Sequence, residues 1–251
     1  MIDKETLLKI AKLYKTRPWQ QEKHYLQAII LTALTEEPVV FKGGTYLWFF
    51  HGLDRFSEDL DFTYVGKPKE ELGKEVSEAL RIFGVENTVK KIEAGERSVS
   101  FRISAKGPLN TSEKDLCHVY VEASLREQVI KPTLSLKLDF DAYGLPVKIV
   151  QGMSLDEVAA EKVRAIMTRD KARDAYDLAF LIQKRKATPD FETIDKKLAY
   201  YNLRFSKKSF EEKLSEKEKH WKTELKPMVF GDLPDFEAAA KTILKEIAAV
   251  H

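Results

Sequence analysis

The chain has 251 residues, of which 43% are hydrophobic and 33% are charged, and its formal net charge is +2 at pH 7. This composition is typical of a globular protein and argues against disorder, because charged and apolar residues are interleaved. The 42 basic and 40 acidic residues nearly cancel, so charge alone indicates no anionic partner. A single cysteine excludes an intramolecular disulfide and a cysteine-based zinc cluster.

The start of the chain does not resemble a secretion signal. Residues 1–6 are acidic and lead into an amphipathic pattern, whereas a signal peptide has a basic start and then an apolar core. The longest apolar stretches, such as residues 28–34, are far too short to cross a bilayer. We therefore expect a cytoplasmic protein that has no membrane partner.

A glycine turn follows two helical patterns that fill residues 4–36. Residues 39–41 are a short apolar segment that favours a strand, Gly43 and Gly44 form the turn, and residues 45–51 favour a helix that opens just after it. A glycine turn lets the backbone approach a phosphate, and the first N–H groups of a helix attract anions. The order of strand, turn and helix therefore indicates a phosphate-binding segment.

Two aspartates follow this segment at a spacing that suits metal binding. Residues 59–65 alternate between polar and apolar side chains, so Asp59 and Asp61 share one face of a predicted strand. Two such carboxylates can hold Mg²⁺ on a nucleoside triphosphate. A solvent-exposed strand edge would give the same pattern, and the Gly-Gly-Thr sequence upstream is what favours the metal site.

A third carboxylate from a neighbouring strand would complete a site for one or two magnesium ions. Three further alternating segments follow, at residues 99–103, 119–123 and 134–140. We choose Asp139 in the last of them as the third ligand and as the group that helps to deprotonate an acceptor hydroxyl, with Asp141 as the alternative. A solvated strand face explains the same residues equally well.

The chain changes character after Gly152, where helical patterns begin and continue to the end. Ser154 and Asp190 lie where helix N-caps are expected. We therefore predict two domains: an α/β core with N-terminal helices at residues 1–150, and a helical domain that completes the cleft at residues 151–251.

Three charged residues of the helical part fall on apolar helix faces. Lys162 lies within the apolar arc of its helix, Asp174 lies within the apolar arc of the next helix, and Asp177 lies at the edge of that arc. Charges in such positions need partners. They could form a structural ion pair between the two helices, or a salt bridge that positions Lys162 at a bound nucleotide.

Basic and aromatic residues are interleaved in residues 196–226, which contain ten lysine or arginine residues against five glutamates. Basic side chains for phosphates and aromatic faces for unpaired bases are typical of an RNA-binding surface. A solvated helix pair with the aromatic residues in its core is the alternative, and the pattern alone favours it. The aromatic residues are Tyr200, Tyr201, Phe205, Phe210 and Trp221.

Two parts of the chain closely resemble one known family in order and spacing. The first part comprises residues 42–45, Lys-Gly-Gly-Thr, and residues 53–62, Leu-Asp-Arg-Phe-Ser-Glu-Asp-Leu-Asp-Phe. The second comprises residues 160–166, Ala-Glu-Lys-Val-Arg-Ala-Ile, and residues 173–178, Arg-Asp-Ala-Tyr-Asp-Leu. They are similar to the signature regions of the AbiEii/AbiGii family of nucleotidyltransferase-like toxins, within the DNA polymerase beta-like nucleotidyltransferase superfamily.

The resemblance implies an α/β (α+β) fold, with a mixed sheet flanked by helices in a nucleotidyltransferase core and a helical C-terminal portion. It also implies that residues of both parts belong to one nucleotide site. Their implied roles are phosphate binding for Gly44 and Thr45, Mg²⁺ binding for Asp59 and Asp61, a nucleotide contact for Lys162, and membership of the site for Asp174 or Asp177.

The activity implied by the resemblance is transfer of a nucleoside monophosphate from a nucleoside triphosphate (NTP) to an RNA hydroxyl. Some family members add nucleotides to the 3′ end of tRNA as toxins of toxin–antitoxin systems, which implies an antitoxin encoded nearby. Two alternatives remain open. The acceptor could be a protein or a small molecule such as an antibiotic, or the chain could bind nucleotide or RNA without turnover.

Overall fold

The fold is built around one mixed β-sheet. The computed structural model describes residues 1–69 and 71–249, and seven strands of these residues form the sheet. The strands are β1 (Val39–Lys42), β2 (Leu60–Tyr64), β3 (Asn87–Ala94), β4 (Ser98–Ala105), β5 (Cys117–Ser124), β6 (Leu134–Leu138) and β7 (Lys148–Gly152). Their order across the sheet is β3-β4-β5-β2-β1-β7-β6.

The two strands around the glycine turn lie at the centre of this sheet. β1 pairs antiparallel with β2 and parallel with β7, and β2 pairs parallel with β5. All four residues of β1 are buried, which explains why the segment is continuously apolar up to Lys42. The central position fixes both strands on two sides and gives their side chains a defined register.

Ten α-helices occur within the described residues. They are α1 (Lys4–Tyr14), α2 (Pro18–Ala33), α3 (Gly43–His51), α4 (Leu72–Ile82), α5 (Leu155–Thr168), α6 (Ala172–Arg185), α7 (Phe191–Ala199), α8 (Lys207–Ser215), α9 (Glu218–Leu225) and α10 (Phe236–Ala249). α2 packs against α4 and β5, and Leu26, Ile29 and Ile30 of α2 have no exposed surface. None of the described helices is both long and apolar enough to span a bilayer.

The structure confirms the predicted fold class, a mixed sheet with helices in an α/β arrangement. Both predicted N-caps are confirmed, because the side chain of Ser154 accepts from the N–H of Glu157 and that of Asp190 accepts from the N–H of Thr193. Two strands were not predicted. β3 is an edge strand with a largely exposed, charged sequence, and β7 has only five residues, so neither carries a strong alternating pattern.

Two compact units make up the chain. The first consists of Met1–Tyr46, Glu58–Gln128 and Leu134–Gly152, and it contains the whole sheet. The second consists of Leu47–Ser57, Val129–Thr133 and the residues from Met153 onward, and it contains α5 to α10. The predicted domains at residues 1–150 and 151–251 remain a prediction, and residues 250 and 251 lie outside the described part of the chain.

Candidate functional site

The glycine turn brings the backbone against a carboxylate. Gly43 is the first residue of α3 and has a φ of +80°, a conformation that costs free energy for any residue with a side chain. A Cβ atom at this position would overlap Oδ2 of Asp61 and lie 3.0 Å from its Cβ. Glycine is therefore required here both by its backbone conformation and by the close approach of Asp61.

The helix that begins at this turn offers N–H groups at its N-terminus, which α-helices leave without intrahelical partners. Thr45 lies in its first turn and is fully buried. The Thr45 hydroxyl donates a hydrogen bond to the backbone carbonyl of Asp59. In this structure the hydroxyl therefore holds the chain at Asp59, and the expected contact of Thr45 with phosphate remains a prediction.

Asp59 and Asp61 are placed by β2. Asp61 is the second residue of this strand, and Asp59 immediately precedes the strand. Residues two apart on a strand face the same side, and both aspartates are half-buried. Because Asp59 lies just outside the strand, its common face with Asp61 remains a prediction.

Asp61 stands in a row of charged residues across three strands. It lies opposite Lys42 of β1 on one side and opposite Glu122 of β5 on the other. Residues directly opposite each other on paired strands bring their Cβ atoms to within about 5 Å. The ammonium of Lys42 is buried and lies 2.7 Å from Oε2 of Glu127, so this lysine is held by a carboxylate outside the row.

Glu122 was not among the predicted site residues. Partial desolvation raises its pKa above the ordinary value of 4.5, and the neighbouring charge of Asp61 raises that pKa further. The side chains of Asp61 and Glu122 form no hydrogen bond or ion pair with any residue that the structure describes. The sequence signal was available, because Glu122 is the outward residue between Val121 and Ala123 in a segment predicted as a strand.

Asp139 lies elsewhere in the first unit, which corrects its predicted position on a strand next to β2. It follows β6, and β1 and β7 separate β6 from β2. Three strand spacings correspond to roughly 14 Å. The Asp139 side chain pairs with Lys137 and contacts Asp141, and the hydrogen bond from Lys137 lowers its pKa. Asp139 and Asp141 are both exposed and therefore form a solvated face, the alternative that the pattern allowed.

The carboxylates of the first unit fit a divalent cation by their chemistry. No three His, Cys, Asp or Glu side chains of the described residues converge as a ready-made metal cluster. Asp61 and Glu122 nevertheless supply hard oxygen donors at opposite positions of β2 and β5, and Asp59 supplies another just before β2. Burial and the charge of Asp61 raise the pKa of Glu122 by more than the charges of Arg126 and Lys42 lower it, so a cation bound between the two carboxylates would relieve their repulsion.

Lys162 belongs to a buried ionic network in the second unit. Its Nζ lies 3.0 Å from Oδ1 of Asp174 and 2.6 Å from Oδ2 of Asp177. Both aspartates have no exposed surface, and Lys162 is only 6% exposed. The predicted need for partners is therefore met in the form of an ion pair between α5 and α6, which was one of the two explanations that the pattern allowed.

Two arginines complete this network. Arg55 makes a bidentate pair with Asp177, with 2.7 Å from Nε to Oδ1 and 2.6 Å from Nη2 to Oδ2. Arg169 donates to Asp174 from Nε at 2.7 Å and from Nη2 at 2.8 Å. Sequence reasoning gave no role to Arg55, although it lies within the motif at residues 53–62, because nothing in the pattern pairs it with residue 177.

The aspartates of this network remain ionised despite their burial. Burial by itself would raise the pKa of Asp174, but the charge of Lys162 and the hydrogen bonds from Arg169 bring it well below 3.8. The same balance lowers the pKa of Asp177, where Arg55 supplies the largest opposing charge and Lys162 the next. The network therefore joins helices α5 and α6 to residue 55 through fully desolvated ion pairs.

The basic segment at residues 196–226 divides into buried and exposed parts. Lys197 and Lys217 are buried, and Lys197 lies 2.7 Å from Oε1 of Glu157. Phe210 and Trp221 are also buried, as the alternative with an aromatic core expects. Tyr200 is 40% exposed, so only part of the interleaved pattern is available to a ligand.

Comparison with known proteins places this geometry in a family. Residues 24–242 match the family model described as "Nucleotidyl transferase AbiEii toxin, Type IV TA system". Comparison with curated protein sequences finds no match.

Three solved structures share the fold at 20% sequence identity each. JHP933 from Helicobacter pylori has a TM-score of 0.66, with 92% of this chain and 91% of that chain covered. A putative nucleotidyltransferase from H. pylori has a TM-score of 0.65, with 92% and 95% covered. MenT4, the nucleotidyltransferase toxin Rv2826c from Mycobacterium tuberculosis H37Rv, has a TM-score of 0.63, with 99% and 89% covered.

At this identity the structures establish a shared fold alone, whereas the family model matches most of the chain. The glycine turn and the Asp59–Asp61 pair lie within the matched residues, as do Lys162, Asp174 and Asp177. The chain therefore belongs to the AbiEii family of nucleotidyl transferase toxins of type IV toxin–antitoxin systems.

Proposed function

We propose that this protein transfers a nucleoside monophosphate from an NTP to a hydroxyl of RNA, at the 3′ end of tRNA, and that this reaction is its toxic activity. One observation carries the proposal. The register of the central strands puts Asp61 against the backbone of Gly43 on one side and beside Glu122 on the other. A turn that phosphate can approach and two carboxylates whose side chains form no ion pair with a described residue thus meet at one point of the first unit.

The turn and α3 would hold the triphosphate. The missing side chains at Gly43 and Gly44 let phosphate oxygens approach the backbone, and the N–H groups at the start of α3 would donate to them. The buried hydroxyl of Thr45 keeps Asp59 in place beside that turn. Asp174 and Asp177 hold the ammonium of Lys162 in one orientation, and the nucleotide contact that the family resemblance implies for Lys162 remains a prediction.

Asp59, Asp61 and Glu122 would hold magnesium, and Glu122 replaces Asp139 in this role because β5 is the neighbour of β2. When bound, magnesium would neutralise charge on the triphosphate and stabilise the leaving pyrophosphate. Glu122 would also accept the proton of the attacking hydroxyl, because its carboxylate lies beside Asp61 on the neighbouring strand.

RNA is the proposed acceptor because exposed cations and an exposed aromatic residue remain in the segment at residues 196–226. The family description names a toxin–antitoxin system, so an antitoxin encoded nearby is the expected protein partner. We place the reaction in the cytoplasm, where tRNA and NTPs are available. A protein or small-molecule acceptor would not require the basic segment, and a binding module would show no turnover.

The test is incubation of the purified protein with Mg²⁺, total tRNA and each α-labelled NTP in turn, alongside Asp61→Asn. The proposal expects label on tRNA with at least one NTP, and no label with the variant. Cleavage of the NTP without labelled tRNA would redirect the search to protein and small-molecule acceptors. Nucleotide binding without any cleavage or transfer would support the binding module instead.

A further inference from the structure

The surface turn between α7 and α8 combines exposed aromatic and cationic side chains, and we propose that it binds the phosphate backbone of the acceptor RNA. We define this turn as residues 200–208, Tyr-Tyr-Asn-Leu-Arg-Phe-Ser-Lys-Lys. The inference rests on the proposed function, since it names the surface that would hold the RNA substrate of that reaction.

The lysines on either side of the turn pair with other groups of the protein. Lys196 pairs with Glu192 at 2.6 Å, and Lys197 is buried between Glu157 and Glu161. Further along, Lys213 pairs with Glu216, and Lys217 is buried, with its Nζ 2.8 Å from the carbonyl oxygen of Arg169. These four lysines therefore already have partners within the protein. The cations of the turn itself are Arg204, Lys207 and Lys208.

Arg204, Lys207 and Lys208 are all exposed, and none forms an ion pair with a carboxylate of the described residues. No aspartate or glutamate occurs from residue 196 to residue 210. The carboxylate of Asp195, just before this stretch, accepts a hydrogen bond from the backbone N–H of Phe205 at 2.8 Å. Three cations thus concentrate on one short surface segment, which complements a polyanion.

The turn is held in one conformation by its own contacts. Asn202 adopts a φ of +56°, and the N–H of Leu203 donates to the carbonyl of Leu198, which closes the end of α7. The ring of Phe205 packs 5.2 Å from that of Phe191 and 5.8 Å from that of Phe210. A preorganised turn loses little conformational entropy when a ligand binds, so its charges act at a low cost.

Helix stability does not explain the position of the two lysines. Lys207 and Lys208 are the first residues of α8, whose first turn contains no acidic residue. Cations at a helix N-terminus are disfavoured by the helix dipole. Bound phosphates would offset this repulsion.

Tyr200 and Leu203, each 40% exposed, add apolar surface on which an unpaired base can rest.

A matched pair of double variants tests the surface. Lys207→Glu/Lys208→Glu reverses two charges in the turn. Lys241→Glu/Lys245→Glu reverses two exposed lysines of α10 that form no ion pair with a described residue, and so changes the net charge equally. The readouts are binding of labelled total tRNA without NTP at several salt concentrations, and the KM for tRNA in the transfer assay. Thermal unfolding shows that both variants are folded.

We expect the turn variant to bind tRNA at least tenfold more weakly than the control variant. The slope of log K against log salt should fall by about 1.4–1.8, which corresponds to two lost phosphate contacts. In the transfer assay its KM for tRNA should rise while its affinity for NTP is unchanged. If tRNA binding is weakened equally in both variants, or in neither, the proposed surface is wrong.

The same experiment separates this inference from the proposed function. If the wild-type protein binds tRNA through the turn but transfers no label to it, the surface stands and the tRNA acceptor of the proposed reaction fails. If label is transferred and the turn variant has the KM of the control, the reaction stands and the surface is wrong. If the wild-type protein binds no tRNA, both are wrong.

Discussion

The carboxylates of the two units differ in what neutralises them. In the second unit, Asp174 and Asp177 are fully buried and are shared among Lys162, Arg55 and Arg169. In the first unit, Asp61 and Glu122 lie side by side on neighbouring strands, and neither side chain has an ion pair or hydrogen bond with a described residue.

We infer from this difference that one set of carboxylates serves folding stability and the other serves the reaction. A carboxylate that is satisfied inside the protein has lost its affinity for an outside cation, and removing it leaves a buried positive charge. Two adjacent carboxylates that form no ion pair repel each other, and a cation from solution can relieve that repulsion. We therefore expect the second unit's aspartates to govern folding stability and the first unit's carboxylates to govern metal binding and transfer.

The largest expected effect is on transfer in Asp61→Asn. Loss of the carboxylate at the centre of the row should lower the transfer rate by about 10³-fold or more, since a metal ligand supplies several kcal/mol of transition-state stabilisation. The free energy of unfolding should stay close to the wild-type value. The rate is measured with labelled NTP, and Asp139→Asn is the control, which should keep most of the activity.

Asp177→Asn should instead destabilise the protein, by about 3–5 kcal/mol, because it leaves Arg55 and Lys162 with an uncompensated buried charge. Urea denaturation measures this loss. The matched control is Glu192→Gln, which breaks the exposed pair with Lys196 and should cost at most about 0.5 kcal/mol. Similar losses in the two variants would show that the buried network contributes little more than a surface pair.

Gly43→Ala should lower both the folding stability and the transfer activity. The substitution forces a side chain into a conformation with φ of +80°, which costs about 1–3 kcal/mol, and it pushes the Asp61 carboxylate away. Gly144→Ala is the control, because Gly144 has a φ of +63° but no atom within 4 Å of an added Cβ. Both variants should lose stability in urea denaturation, and Gly43→Ala alone should also lose transfer.

Acid should weaken the second unit's network. The folded-state pKa values of Asp174 and Asp177 lie below 3.8, so the unfolded state binds more protons in acid. Their contribution to stability is present above about pH 4 and is lost as the pH falls towards the folded-state values. Urea midpoints at pH 7, 5, 4 and 3 should therefore fall most steeply below pH 4, and an unchanged midpoint down to pH 3 would contradict the proposed network.

The smallest expected effect, of opposite sign, is in Glu122→Gln. The pKa of Glu122 is raised, so its unfavourable ionisation in the folded state lowers wild-type stability as the pH rises above 4.5. The glutamine variant should match the wild type below pH 4.5 and be slightly more stable above it, in urea denaturation without divalent metal. Excess Mg²⁺ should remove this advantage, because it would stabilise the wild-type protein through the same carboxylate.

Local patterns predicted the local parts of the fold and of the site. The alternation around Asp59 and Asp61, the caps at Ser154 and Asp190, and the burial of Lys162 depend on residues within a few positions of each other. The caps were predicted from residue type and the other two features from periodicity. The structure confirms the caps and the burial of Lys162, whereas the alternation holds only in part, because Thr63 on the predicted polar face is buried.

Pairing between distant segments could not be read in this way. The choice between Asp139 and Glu122 depends on whether β6 or β5 lies beside β2, and strand order is set by the packing of the whole sheet. Arg55 and Asp177 are likewise joined across 122 positions of sequence. An alternating strand shows which residues share a face, but not which strand will lie next to it.

The most direct test of the account is binding of Mn²⁺, as a probe for Mg²⁺, in the presence of NTP but without an acceptor, measured by calorimetry. It compares the wild-type protein with Asp61→Asn, Glu122→Gln and Asp139→Asn. We expect at least tenfold weaker metal binding in the first two variants and wild-type affinity in Asp139→Asn. Wild-type affinity in Asp61→Asn and Glu122→Gln, with loss of binding in Asp139→Asn, would contradict the account.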